Sequence, residues 1–373
     1  MSRSDFVSII LPVYNAAPFV AATVASLLDQ TWRDIEIIAV DDGSTDNSHE
    51  VLEGLARTDS RIRVFTKPNG GSAAASNFAL AHAQGDFIAR MDADDLAYRT
   101  RLADEIALLS VSDEIALCST EVDYTFFPGR VFIGARRPRT PGEIRVENIF
   151  GTFHIHPTVL FDMRKLDRAE LHYDESYLLA EDFELLSRIG LSHPTMIMPE
   201  ARLLVRRQGH GSVTSRLSGK NPGYHFRVTM RQLEANGIVG SDMALLAMLS
   251  GSDSVEPDRL EALAPWLTTV RNHRGFSGAE SAAYDRGLSN FTDNLVDALY
   301  GRCSADAVLG LLKRCGLDGY ISRYDRMRFA LGASGARSMD RASGLLRQAR
   351  RYVKSSAATV LSDHLRPPAL SGF

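Results

Sequence analysis

Apolar and polar positions alternate between two rhythms over the first hundred residues. The runs 7–15, 35–40, 62–65 and 87–91 are nearly continuous in apolar residues, as strands buried on both faces of a sheet are. Between them, Val20, Val24, Leu27 and Leu28, then Val51, Leu52 and Leu55, repeat at helical spacing, and 72–83 is an alanine-rich helix. Pro12 is expected to stop the first strand and Asn15 to turn the chain, with Pro18 in the first turn of the next helix. Four strand–helix alternations joined by short links require a parallel sheet with right-handed crossovers. The fold class is therefore α/β, with a doubly wound, mostly parallel sheet.

Polar residues gather where each strand ends: Tyr14 and Asn15, Asp41 and Asp42, Asn69, then Asp92, Asp94 and Asp95. Open α/β sheets bind ligands at those carboxyl ends, so the convergence builds one site. Three carboxylates within four residues repel one another unless a cation sits among them. A hard divalent ion, Mg2+ or Mn2+ bridging a diphosphate, suits an all-oxygen set. An EF-hand is excluded, because Leu96, Ala97 and Ala103 stand where its loop needs a ligand, a glycine and a bidentate acid. The competing reading is an acidic turn that caps the following helix. No Gly-x-Gly-x-x-Gly follows the first strand and no Gly-Lys-Ser/Thr loop occurs, so phosphates must be held by metal and side chains.

Further along, 154–161 alternates, which sends His154 and His156 to one face of an extended segment. Phe183, Leu186 and Ile189 share a helical face whose first turn holds Glu181 and Asp182, where the helix dipole favours acids. Beyond 218–223 the alternation stops. The rest reads as helices over 225–235, 241–250, 257–274, 278–300, 305–315 and 340–354. This divides the chain into an α/β domain, 1–218, and a helical region, 219–373. Between Lys313 and Lys354 eleven Lys and Arg face three acids, and Ala342, Leu345, Leu346, Ala349, Tyr352 and Val353 make one apolar stripe. Such a basic amphipathic helix either lies on anionic lipid or docks on the first domain.

Composition adds bounds. A chain of 373 residues has room for about two domains. A net charge of -4 gives no sign of a nucleic-acid partner. Cys118, Cys303 and Cys315 lie far apart, without metal spacing, which suits a reducing compartment. The first strand follows too soon for a signal peptide, and the apolar run 243–249 is far shorter than a membrane span. The expectation is a cytoplasmic protein, with peripheral contact at the inner face of the membrane if the basic helix binds lipid.

Four motifs in order, Leu11-Pro12-Val13-Tyr14-Asn15, Val40-Asp41-Asp42-Gly43-Ser44, Asn69-Gly70-Gly71 and Asp92-Ala93-Asp94-Asp95, resemble those of the family 2 inverting glycosyltransferases of the GT-A fold. The resemblance covers roughly 5–215. It implies that Pro12 and Asp42 contact the nucleotide base, the Asp42 carboxylate accepting from a uracil imide. It also implies Asp92 near the ribose and Asp94 on the metal, with Tyr14, Asn15, Asn69, Gly70 and Ala93 as further donor contacts. An Asx turn is the plain alternative for Asp41 and Asp42. Asp182 matches the family's catalytic base, the carboxylate that takes the acceptor hydroxyl's proton. Glu181 is its structural or acceptor-binding neighbour, and His156 lies where the acceptor binds, unless it is an ordinary hydrogen-bonded histidine. His210, offset by one residue, matches a metal or diphosphate ligand. Arg206 or Arg207 would offset developing charge or lie at the surface.

Two departures stand out. Ser76-Asn77 replaces the family's Arg-Asn, so a donor-facing cation is lost or its task moves elsewhere. Arg99 stands where proline is common, read as a surface change. Trp32 and Trp266 lie outside any Gln-x-x-Arg-Trp motif, which disfavours a processive polymerase. The implied activity is metal-dependent sugar transfer with inversion, from a nucleotide diphosphate sugar (UDP favoured) to a carbohydrate or glycolipid hydroxyl, in bacterial surface polysaccharide or glycolipid synthesis. A nucleotidyltransferase would need an early glycine-rich loop with a basic residue, which 13–17 lacks. An inactive nucleotide- or carbohydrate-binding module would have no need of the full set of acids.

Overall fold

The computed structural model describes residues 5–127, 130–133, 139–206, 223–251, 253–299, 302–322 and 325–326. The expected alternation is present as β1 (Val7–Val13), α1 (Val20–Leu28), β2 (Ile35–Asp41), α2 (Ser48–Ala56), β3 (Ile62–Thr66), α3 (Gly71–His82) and β4 (Phe87–Arg90). These four strands pair in parallel in the order β3-β2-β1-β4.

Pro12 does not end β1, which continues to Val13 with Pro12 opposite Val40. The backbone hydrogen bonds explain why. Ile10 accepts from Met91 on the β4 side and Val13 from Asp42 on the β2 side, so alternation turns the Pro12 nitrogen toward β4. The β4 pairing has already ended at Ile10 opposite Arg90, so no ladder bond is missed. Pro18 precedes α1, which starts at Val20.

After β4 the chain forms β5 (Leu96–Ala97), α4 (Arg101–Leu109), β6 (Leu117–Phe127), β7 (Arg130–Ile133), α5 (Pro141–Glu147), β8 (Leu160–Asp162), α6 (Glu181–Ser192) and β9 (Thr195–Arg206). They extend the sheet as β4-β8-β6-β9-β5, with β7 on β6, and only the β6–β9 pair among them is parallel. One face of the sheet packs Val7, Ile9, Leu11, Phe87 and Ala89 against α1 and α4. The other packs Ile10, Ile38, Val40 and Ile88 against α3 and α6.

Six described helices follow: α7 (Gly223–Ala235), α8 (Met243–Ser250), α9 (Pro257–Glu261), α10 (Ala264–Asn272), α11 (Gly278–Leu299) and α12 (Ala305–Arg314). The single helix expected over 257–274 is two, because Pro265 fits a first turn but not a helix interior. Their core takes in Val146, Ile149 and Phe150 from the end of α5. Arg286 of α11 grips the Glu143 and Glu147 carboxylates of α5 at 3.1 and 2.5 Å. The boundary at 218 and the basic helix 340–354 lie outside the described residues. No described helix is long and apolar enough to cross a membrane.

Candidate functional site

The sheet order reverses direction at β1. From there β2 and β3 step to one side and β4 to the other, which opens a crevice at the carboxyl ends of β1 and β4. Asn15, at φ 50°, takes the left-handed turn that asparagine tolerates. Its Oδ1 accepts from the Thr45 amide at 2.8 Å, and its own amide donates to Ser44 Oγ at 3.0 Å. Tyr14 beside it is 45% exposed, and Pro12 is half-buried two residues before.

Asp41 and Asp42 divide their tasks. Asp41 Oδ1 accepts from the Ser44 amide at 3.2 Å, the plain Asx turn. Asp42 is buried and pins the loop that opens α3. Its Oδ1 receives Lys67 Nζ at 2.7 Å and the Gly70 amide at 3.0 Å, and its Oδ2 receives the Gly71 amide at 2.7 Å. Asn69 Nδ2 donates to the Asp42 carbonyl at 3.0 Å. Three donors leave roughly one of about four acceptor positions on the carboxylate for a base. The same loop presses on Gly43 (φ 71°), where a Cβ would stand 2.9 Å from the Asn69 nitrogen.

Asp92, Asp94 and Asp95 bring carboxylate oxygens within 4.8 Å of one another. Thr23 Oγ1 ties down the turn through the Ala93 carbonyl at 2.9 Å. The helix-capping alternative fails, since α4 begins only at Arg101, after Thr100. The donor set is all oxygen, Asp94 is exposed and Asp92 half-exposed, so a hard divalent cation fits it.

The first turn of α6 lies within electrostatic reach of Arg90 and Asp92. Asp182 Oδ1 accepts from the Phe183 amide at 2.7 Å. Burial, then the Asp92 charge, raises the Asp182 carboxyl above its ordinary range. Glu181 is pushed up to about 8 by burial and by Asp182, with Arg90 pulling the other way. The structure thus brings the two acid sets together around Arg90.

His154 and His156 part company instead of sharing a face. Residues His156–Thr158 form a 3-10 turn, because Pro157 has no N–H to offer a ladder and Thr158 Oγ1 donates back to the Ile155 carbonyl at 2.7 Å. His154 is buried, bridging Ser119 Oγ at 2.8 Å and Thr195 Oγ1 at 2.9 Å. His156 Nε2 meets the Tyr173 hydroxyl at 2.7 Å. Burial, then Arg90, lowers His156 to about 3, so it stays a neutral imidazole. Arg206 ends β9, while Arg207 and His210 lie outside the described residues.

Sequence reasoning missed Arg90 and Lys67. Arg90 is 3% exposed, and its Nη2 lies 2.8 Å from Asp92 Oδ1. Its Nη1 donates to the Met91 carbonyl, and its Nε has no partner among the described residues. Arg101, fully buried and paired with Glu105, props the Arg90 carbonyl at 2.8 Å. The signal was available: one arginine in an apolar strand is costly without a charged partner, and acids follow directly. Ser76 is buried with its Oγ unpartnered among the described residues, while Asn77 clamps the Tyr173 backbone at 2.9 Å through both amide atoms. Arg99 pairs with Asp29 at the surface, as expected.

A parallel βαβ half, an antiparallel extension and an acidic cluster at the switch point define a GT-A-type fold. Residues 8–167 match the model described as glycosyl transferase family 2, and over that stretch the chain is similar to that family. It is 44% identical over 95 residues to a hyaluronan synthase of Pasteurella multocida, covering 26% of this chain and 10% of that one. It is 35% identical over 191 residues to the uncharacterized glycosyltransferase EpsJ of Bacillus subtilis, covering 47% and 53%. The match therefore spans between a tenth and about half of these relatives' lengths. Among solved structures, S. aureus TarS 1–349 in complex with UDP-GlcNAc has the same fold, with a TM-score of 0.52, 19% identity, and 84% and 88% of the two chains covered.

Proposed function

We propose that this chain is a metal-dependent, inverting glycosyltransferase that moves a sugar from a UDP-sugar to a hydroxyl of a carbohydrate or glycolipid acceptor. Bacterial surface polysaccharide or glycolipid synthesis is the proposed setting, at the cytoplasmic side. The observation that carries the reading is a pair of acid clusters within electrostatic reach of each other, an open one at the end of β4 and a half-buried one at the start of α6. Asp94, with Asp92 and Asp95, would hold Mn2+ or Mg2+, and His210 is the further proposed ligand. When bound, the ion supplies positive charge to the departing diphosphate.

The chain's own residues do the rest. Lys67 and the amides of Gly70 and Gly71 hold Asp42 in place at the proposed base site, beside Pro12, Tyr14, Asn15 and Asn69. Two adjacent carboxylates in a confined site share a proton at neutral pH. The Phe183 amide favours charge on Asp182, so Glu181 carries the proton. Asp182 is then the ionised base, raised in basicity by burial, that accepts the acceptor hydroxyl's proton as its oxygen attacks the anomeric carbon. His156, neutral and held by Tyr173, would orient the acceptor rather than supply charge.

The test is incubation with a panel of nucleotide sugars and Mn2+. Release of nucleoside diphosphate, abolished in Asp94→Ala, supports the reading. Asp182→Asn should retain donor binding and lose transfer, and full transfer by that variant removes Asp182 as the base. Pyrophosphate release would indicate a nucleotidyltransferase.

A further inference from the structure

The helical region has a cavity of about 160 Å3 between α10, α11 and the turn Asp318–Tyr320. That is below the 300 Å3 or so at which pockets for drug-sized ligands begin, so its occupant is one small unit and not a nucleotide sugar. Two guanidiniums border it. Arg271 uses Nε on the Gly316 carbonyl at 3.1 Å, which leaves both Nη groups. Arg274 uses Nη1 on the carbonyls of Arg271 and His273, which leaves Nη2 and Nε. Aromatic rings form its walls. Phe276 lies against Tyr284 with centroids 5.4 Å apart, and Tyr320 lies under the Arg271 guanidinium at 5.1 Å.

The remaining groups narrow the ligand. Asp285 accepts from the Tyr320 hydroxyl at 2.8 Å through one oxygen, and the Ser281 hydroxyl is close by. A carboxylate repels a bare anion but accepts from hydroxyls, whereas two guanidiniums favour an acidic group. Burial, then Arg274, lowers His273, so the ring adds no charge of its own. The lining is net positive in a chain whose net charge is -4.

We propose that this cavity binds one anionic saccharide unit, a sugar ring carrying a carboxylate or a phosphate. As a grip on an acidic glycan acceptor it rests on the transferase reading, but as a binding site it does not. The probes are glucuronate, glucose 6-phosphate, glucose and inorganic phosphate, titrated by ligand-observed NMR onto the full chain with UDP and Mn2+ present to fill the catalytic crevice. Glucuronate or glucose 6-phosphate should bind, the tighter of the two naming the acidic group, with glucose at least about tenfold weaker. Arg271→Gln and, separately, the exposed Arg274→Gln should each weaken binding by about tenfold while the melting temperature holds. Failure of both acidic sugars to bind, equal binding to the two variants, or inorganic phosphate binding as tightly as either sugar would overturn the proposal. Loss of transferase activity in the panel above leaves these outcomes untouched, so the two readings fail separately.

Discussion

Arg90 keeps a charge where almost no water reaches it, and Asp92 at 2.8 Å makes that tolerable. Removing one partner of such a pair leaves the other uncompensated, at a cost of about 3–5 kcal/mol when both are buried. Asp92 is 40% exposed, so Arg90→Met should lose less, roughly 1–3 kcal/mol in urea unfolding. The variant should also lose transfer activity, with partial recovery in Arg90→Lys; unchanged transfer in Arg90→Met would detach it from the site. Glu181 carries the opposite liability. Its folded-state carboxyl is raised to about 8, so the folded protein holds a proton that the unfolded chain releases near pH 4.5. Stability therefore falls as pH rises between those values. Glu181→Gln, which cannot ionise, should melt higher than the natural protein at pH 8 and equal to it near pH 4.5; a difference independent of pH contradicts the assignment. The acids were legible from their crowding. The neutral state of His156 was not, because it depends on burial and on Arg90 from another element.

At the scale of elements, Asp42 ties the end of β2 to the loop that opens α3, and that decides how its loss should read. If it only touched the base, Asp42→Ala would weaken donor binding and nothing more. Its three bonds to Lys67, Gly70 and Gly71 predict, in addition, faster amide hydrogen exchange at Gly70 and Gly71 and fraying at the start of α3. Exchange unchanged at those amides would return Asp42 to a base contact alone. The four parallel strands were readable because each is a continuous apolar run, and Glu181 and Asp182 because α6 shows its apolar face. The antiparallel extension was not. Strands β5 and β8 have two and three residues, too short for a period of their own, and their pairing is set by β9, β4 and β6. Pro12 misled for a related reason: whether a proline breaks a strand depends on which neighbour its nitrogen faces.

Across the whole molecule, the α/β half and the helices are fastened as one unit. Arg286 reaches Glu143 and Glu147, and Arg139 reaches Glu147 from the other side at 2.9 Å. Gly287 lets α11 sit on the Phe150 ring, where a Cβ would overlap it. Phe183 of α6 packs at a tilt against the His225 ring of α7 with centroids 4.7 Å apart, so the turn that holds Asp182 leans directly on the helical region. No sequence period announces such a seam, since it is made by single residues far apart in the chain. At the end of β4, the acids are proposed to grip a cation that grips the donor's diphosphate. The most direct measurement of that grip is a manganese anomalous map of the protein crystallised with UDP and Mn2+. A manganese peak is expected on the Asp94 carboxylate, touching the diphosphate and absent in Asp94→Ala. A diphosphate bound in the crevice with no manganese at Asp94, or manganese bound elsewhere, would contradict that binding mode.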